Sequence, residues 1–290
     1  MDPRPLPYQA FSQKVEGLDW DKFRSFVYGK YAKTTAPKVM CYAKRYCYVL
    51  ASGKIQDIET FPSTIRPEVI KSLIIVSKYL GAYEVFKAAL KSYGIKLARP
   101  DAFYSFQRMY TNRNSDLMEW YAQVDPVLKP EEKLLFKYLR FSGLRKEEGI
   151  MSFNKIVELS KQNNLGAYLS EDGLLEHFQF KKQFLRGTKN VYISIVPPKL
   201  ISEVAQSNPV AYNPIFKRLY RRKIRCRINE LRDAYGTFMV RHGLIKEEVD
   251  LLQGRIPPSI FIRHYWSPSF KELRDRTLEA LSQMAKQITV

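Results

Sequence analysis

Cysteine and histidine are scarce in this chain of 290 residues, and their scarcity argues against two classes of protein. The three cysteines, Cys41, Cys47 and Cys226, form no CxxC pair and leave an odd number. The three histidines are scattered and do not supply a metal-ligating set. This pattern disfavours a disulfide scaffold and a zinc site, and it suits a reducing interior.

Long apolar runs are missing as well. No stretch approaches the ~18 consecutive apolar residues that would indicate a transmembrane helix. The first residues, MDPRPLPYQAF, lack the apolar core of a signal peptide. We therefore expect a cytoplasmic protein with no membrane partner.

Acidic residues are outnumbered by basic ones. The chain has 48 Lys+Arg against 29 Asp+Glu, which gives a formal net charge of +19. Such an excess favours a polyanionic partner, because each bound phosphate releases condensed counterions. Charge alone leaves acidic lipid open as the alternative. The length and the 45% hydrophobic content allow two domains, each with its own core.

Apolar spacing predicts that residues 1–100 form a small, basic, all-helical module. Two helices are expected within 20–51, with Thr34 and Thr35 offering cap oxygens for the second. Another helix follows Pro67, and one more runs from about Ala82 to Lys96.

The rest of the chain is predicted to be helical apart from one strand-like segment. The linker candidate is 97–101, which contains a proline. Segment 174–196 alternates like strands around RGTKN, where Gly187 and Asn190 suit a tight turn. The other predicted helices lie at 114–124, at 131–141 and after Pro198. The fold class is therefore mostly α with a small β-hairpin or sheet, that is, α+β.

Four separated segments carry the residue types that phosphodiester chemistry needs. They are SGLRKEE at 142–148, RINELRDAYGTF at 227–238, LLQGR at 251–255 and FIRHYWSP at 261–268. Arg145 follows a helix-ending glycine, and Glu148 is close enough to orient its guanidinium. Arg232 and Asn229 are three residues apart and are expected to share a helix face. Arg255 is expected to project from a turn.

In their order and spacing these segments resemble the catalytic domain of tyrosine recombinases. The hairpin FLRGTKNVYISIVP lies where that family has one, and the resemblance covers about 107–268. More closely, the sequence is similar to integrases of archaeal spindle-shaped viruses and related plasmids, which share the arginine in LLQGR and the RHYW context. The resemblance implies a core-binding, DNA-binding domain at 1–100 and a catalytic domain with a C-terminal helical tail at 107–290.

The resemblance also implies a mechanism that cleaves and rejoins DNA. Tyr265 would be the nucleophile that forms a 3′-phosphotyrosyl intermediate, and Arg145, Arg232 and Arg255 would hold the phosphate. Lys189 would protonate the leaving 5′ oxygen. No metal or cofactor is implied. The task would be integration or excision of an archaeal mobile element.

Two positions depart from the family pattern or leave it open. Asn229 stands where the family usually has His or Lys, and an amide donates hydrogen bonds but cannot titrate. Lys189 fits the hairpin lysine best. Aligning the hairpin glycine instead selects Arg186, and Lys182 is placed at the end of the first strand.

Two groups of basic residues are predicted to contact DNA phosphates. The first group is Lys30, Lys33, Lys38, Lys44 and Arg45, and the second is Lys217, Arg218, Arg221, Arg222, Lys223, Arg225 and Arg227. By resemblance, the partner is a double-stranded attachment site in the nucleoid. The protein would be a tetramer on paired sites and a monomer or dimer in free solution.

Other interpretations remain open from the sequence. The apolar stripe after Pro268 fits a tail helix packed on its own domain or one donated to a neighbouring protomer. The same chemistry would serve a type IB topoisomerase-like enzyme. Asn229 leaves room for a DNA-binding protein with a decayed site. A generic basic helical protein that binds RNA or membrane would need the four segments to coincide by chance.

Overall fold

The computed structural model describes residues 6–95, 103, 106–107, 110, 115–186, 189–256, 259 and 264–286, without the side chains of 6–10, 115–116, 186 and 189. The chain separates into two compact units, residues 1–112 and 113–290. The linker predicted at 97–101 lies outside the described residues. No helix in the described part is long and apolar enough to cross a membrane.

The first unit is helical throughout its described length, as predicted. Its helices are α1 (Leu6–Glu16), α2 (Trp20–Lys30), α3 (Ala36–Tyr46), α4 (Tyr48–Ser52), α5 (Asp57–Thr60), α6 (Arg66–Tyr79) and α7 (Tyr83–Ser92). Helices α3 and α6 form the most extensive pair. Val39, Ala43 and Leu73 are buried between the helices of this unit.

The predicted side-chain cap of α3 is wrong. Thr35 precedes the helix, but its side chain makes no capping hydrogen bond. Its backbone is already helical, and its N–H donates to Ala32 O at 2.8 Å. A capping side chain needs an extended backbone, so the preceding turn replaces it. In α2, by contrast, the Asp19 carboxylate accepts from the N–H groups of Asp21 and Lys22.

The second unit is mostly helical and carries two small antiparallel sheets. Its helices are α8 (Ser115–Val124), α9 (Pro130–Ser142), α10 (Lys146–Lys161), α11 (Lys181–Phe184), α12 (Pro198–Ala205), α13 (Tyr212–Arg221), α14 (Glu230–Arg241), α15 (Lys246–Leu252) and α16 (Phe270–Lys286). Its strands are β1 (Leu174–Glu176), β2 (Leu185–Arg186), β3 (Lys189–Asn190) and β4 (Ile193–Ile195). This confirms the predicted fold class.

The strand-like segment folds as one hairpin inside another. β1 pairs with β4, and β2 pairs with β3 so that Arg186 faces Lys189. Gly187 of the predicted turn lies outside the described residues. The placement of Lys182 at the end of a strand is wrong, because it lies in α11. The Phe184 side chain is buried, and the chain forms the short helix α11 between the paired strands.

A chain of buried hydrogen bonds fastens the outer sheet to the helices. His177 Nδ1 lies 2.6 Å from the Tyr168 hydroxyl, and its Nε2 lies 2.9 Å from Ser194 Oγ on β4. The Tyr168 hydroxyl donates to Ser152 Oγ at 2.8 Å, and Tyr138 is 2.5 Å from the same oxygen. Burial lowers the pKa of His177 to about 3, so the ring is neutral at physiological pH.

The tail helix packs within its own unit. Leu273, Thr277 and Leu281 of α16 are buried, and the helix contacts α14 and β4. Of the two interpretations that the sequence left open, the structure shows the tail helix packed on its own domain.

Candidate active site

Arg145 lies at the junction between α9 and α10. Gly143 ends α9 at a φ of 62°, and a Cβ there would overlap the Tyr235 ring, so only glycine fits. Fully buried Glu148 accepts from the Arg145 backbone N–H at 3.3 Å and from its Nη1 at 2.6 Å. Glu148 therefore caps α10 and orients the guanidinium, as the sequence predicts.

Arg232 is nearly buried, at 6% exposure. Its Nη1 donates to Gly143 O at 3.0 Å, and its Nη2 donates to Gln253 O at 2.7 Å. Burial, together with the positive charges of Arg145 and Arg255, lowers its pKa to about 10, so Arg232 keeps its charge at neutral pH. The three arginines, from three separate segments, therefore form one electrostatic cluster.

Arg255 follows a tight helix end. Gly254 has a φ of 68°, its N–H donates to Leu251 O, and the Arg255 N–H donates to Asp250 O at 2.7 Å. These are the two bonds of a Schellman motif. The Arg255 guanidinium is half exposed, with its Nη1 3.5 Å from an Asp250 carboxylate oxygen.

The inner hairpin meets the arginines at Asn190. A Cβ on Gly254 would overlap the Asn190 carbonyl, so the two backbones are in direct contact. Arg145 Nη1 lies 3.4 Å from the same carbonyl oxygen. The backbone of Lys189, one residue away, is thereby fixed beside the cluster. The side chains of Lys189 and Arg186 lie outside the described part.

Two candidate residues are exposed rather than gathered with Arg232. Tyr265 is 74% exposed, and its ring lies edge-on to the His264 ring, with the centroids 6.5 Å apart. Asn229 is also exposed, whereas Arg232 is buried. Asn229 directly precedes α14 with a helical backbone, and its carbonyl accepts the Arg232 N–H at 3.3 Å, so the two residues keep the helical i,i+3 spacing that the sequence predicts.

The predicted phosphate contacts divide into exposed and paired residues. The exposed ones are Lys30, Lys33, Lys38, Lys44, Arg45, Lys217, Arg221, Arg222, Lys223 and Arg225. Arg218 instead donates to the buried carboxylate of Glu132 at the start of α9. Arg227 forms an ion pair with Glu230. These two arginines are structural in the folded chain.

One residue of the site was missed by sequence reasoning. Gln253 is buried, and its Nε2 donates to Arg232 O at 3.0 Å. A polar residue before a helix-ending glycine, in a run of leucines, was the available signal, since a buried amide needs a partner. In the described part of the chain, no three His, Cys, Asp or Glu residues are grouped to hold a metal.

Comparison with known proteins assigns the sequence that carries this site to a family. The family model for archaeal phage integrases matches residues 109–272, which is more than half of the chain and includes every residue of the arginine cluster. No curated protein and no solved structure matches the chain. The chain belongs to the archaeal phage integrase family.

Proposed function

We propose that this integrase is a tyrosine recombinase that cleaves and rejoins double-stranded DNA. The observation that carries the proposal is the cluster of Arg145, Arg232 and Arg255, drawn from three segments. Like charges are brought together at a cost, which an anionic ligand between them would offset. Planar guanidinium groups match the oxygens of a phosphodiester in geometry as well as in charge.

In the proposed reaction Tyr265 supplies the attacking oxygen. Its phenol oxygen forms a bond to phosphorus as the bond to the 5′ oxygen breaks, which leaves a 3′-phosphotyrosyl link. The arginines stabilise the negative charge that builds up on the nonbridging oxygens. The high exposure of Tyr265 supports this role, because a nucleophile must reach a bound duplex.

Lys189 is the proposed general acid that protonates the leaving 5′ oxygen. Its support is the position of β3, where the residue next to Lys189, Asn190, contacts the cluster through its backbone carbonyl. Asn229 would only donate a hydrogen bond from its amide. The proposal needs no metal ion or cofactor. A 5′-hydroxyl from a second duplex then reverses the attack and completes strand transfer.

The proposed partner is a double-stranded attachment site in the nucleoid of the cell. The exposed basic residues of both units would contact its backbone, which positions the protein without reading sequence. Strand exchange between two duplexes requires four active sites, so we propose a tetramer on paired sites and a monomer or dimer in free solution.

Covalent trapping on a nicked suicide duplex tests the nucleophile. We expect the wild-type chain to form a protein–DNA adduct and Tyr265→Phe to form none while keeping its DNA affinity. Tyr110→Phe is the matched control, since Tyr110 is about as exposed, at 72%. Adducts that persist in Tyr265→Phe would remove Tyr265 from the mechanism.

The same duplex separates the alternative functions. A topoisomerase-like enzyme would form the adduct and relax supercoiled plasmid but would not join two attachment sites. A DNA-binding protein with a decayed site would bind the duplex and form no adduct in the wild-type chain.

A further inference from the structure

Helix α13 carries a stack of aromatic rings on its outer face. Tyr212, Phe216 and Tyr220 are spaced four residues apart, and successive ring centroids are 5.9 and 6.3 Å apart. Phe216 is 45% exposed and Tyr220 is 75% exposed, whereas Ile215 and Leu219 on the adjacent, inward face are buried. Tyr212 packs against the core, and the two outer rings lie mostly beyond it, with Tyr220 the more exposed of the two.

The stack begins beside the candidate active site. Lys146 Nζ lies 3.7 Å from the centroid of the Tyr212 ring, and Lys146 directly follows Arg145 in the chain. The two inner rings back the outermost one, so Tyr220 is a preorganised platform. A ligand that stacks on it has little side-chain entropy to remove.

Basic residues follow the outer end of the stack in the chain. Arg221, Arg222 and Lys223 follow Tyr220 directly, and all three are exposed. Lys223 has a φ of 57°, a left-handed conformation that is usually supplied by glycine where it occurs at a helix end. It closes the helix through bonds from its own N–H to Tyr220 O and from Ile224 N to Leu219 O. The chain accepts backbone strain at this position while presenting an exposed cation three residues after Tyr220.

We propose that the outer end of α13 binds unpaired nucleotides of single-stranded DNA. A base stacks on the Tyr220 ring, and Arg221, Arg222 and Lys223 contact the adjoining phosphates. Exposed aromatic rings inside a basic surface are the combination that single strands bind, because an unpaired base has an open face for a ring. In a duplex both faces of each base are covered by its neighbours.

This inference rests on the proposed function for its choice of DNA. Cleavage and strand transfer both pass through ends that have left their duplex. The Tyr220 platform is two rings along the stack from Tyr212, whose ring contacts Lys146 next to Arg145, and it would hold such an end until it is rejoined. The binding itself needs no chemistry at Tyr265.

Fluorescence anisotropy in the Tyr265→Phe background tests the platform. The probes are a labelled oligothymidine of about 12 nucleotides, the same strand with abasic sites, and a hairpin duplex. Tyr220→Ala should weaken oligothymidine binding by about 5- to 100-fold. It should change binding of the abasic strand and the duplex by less than about two-fold, since those contacts are to phosphates. Tyr220→Phe should bind like the parent.

The controls make failure distinguishable from loss of the fold or of the proposed chemistry. Tyr93→Ala removes another exposed tyrosine, from the first unit, and should leave all three affinities unchanged. Equal losses on oligothymidine, abasic strand and duplex, or no loss on oligothymidine, would overturn the platform. Tighter binding of RNA of the same length, or of an acidic peptide, would also overturn the assignment to DNA. Absence of adducts on the suicide duplex would count against the proposed function alone.

Discussion

Gln253 and Arg232 hold each other through two hydrogen bonds that run in opposite directions. The Arg232 guanidinium donates to the Gln253 carbonyl at 2.7 Å, and the Gln253 amide donates to the Arg232 carbonyl at 3.0 Å. Since Gln253 also precedes the turn that presents Arg255, one buried residue sets the positions of two arginines. The geometry of the cluster therefore depends on a side chain that does not contact the proposed substrate.

Replacing Gln253 with Leu should slow cleavage without weakening DNA binding. The change keeps the side-chain volume but leaves the Arg232 carbonyl without its amide donor, at a cost of about 1–2 kcal/mol. A single-turnover cleavage rate reduced by about 10-fold would correspond to that cost. Gln162→Leu, at an exposed helix end, is the matched control. An unchanged rate with a lowered melting temperature would mean that Gln253 only stabilises the fold.

Neutralising Glu148 should disorganise Arg145. Glu148→Gln keeps an oxygen for the cap of α10 but removes the charge that holds the guanidinium at 2.6 Å. We expect a loss of about 2 kcal/mol in stability and a cleavage rate at least about 10-fold lower, because charge-assisted bonds are the stronger ones. The measurements are urea unfolding and adduct formation. Glu147→Gln changes the exposed neighbouring carboxylate and should alter neither.

The parts of the site that sequence predicted are those set by local geometry. Arg145 and Glu148 are three residues apart across a helix start, so their pairing follows from helix geometry alone. The glycine that ends α9 and the one that ends α15 were also readable, because a left-handed residue is what a helix end requires.

The parts that sequence missed or misplaced depend on contacts between distant segments. Gln253 meets Arg232 only because α14 packs against α15, and the local signal, a polar residue after two leucines, does not identify the partner. Lys182 was assigned to a strand because the periodicity of a short apolar run does not separate strand from helix. The exposure of Asn229 next to buried Arg232 could not be predicted, because spacing along one helix does not say which side chains other elements cover.

Lys223→Gly should stabilise the fold and weaken DNA binding. Glycine removes the strain of a left-handed residue, which is about 1 kcal/mol, and it also removes one exposed cation. Urea unfolding should show the gain, and the dependence of duplex affinity on salt should become shallower by about one unit of slope. Asn163→Gly changes the other non-glycine residue with positive φ in the described part of the chain. It should leave the salt slope unchanged, and an equal change of slope there would contradict a phosphate contact by Lys223.

Acidification should destabilise the second unit through His177. The native pKa of this ring is about 3, whereas in the unfolded chain it is about 6.5. Below pH 6.5 the unfolded chain therefore takes up a proton that the native ring does not take up until near pH 3. The free energy of unfolding consequently falls over this window, by about 2 kcal/mol between pH 7 and pH 5. Hydrogen exchange of the β4 amides at the two pH values measures that loss, because these amides are protected by the same unit.

The variant His177→Gln should be less stable at pH 7, and its free energy of unfolding should be nearly the same at pH 7 and pH 5, since glutamine does not titrate. His242→Gln, which changes a half-buried histidine on α14's C-terminal end, should keep the wild-type dependence. A slope that survives in His177→Gln would move the cause to the carboxylates.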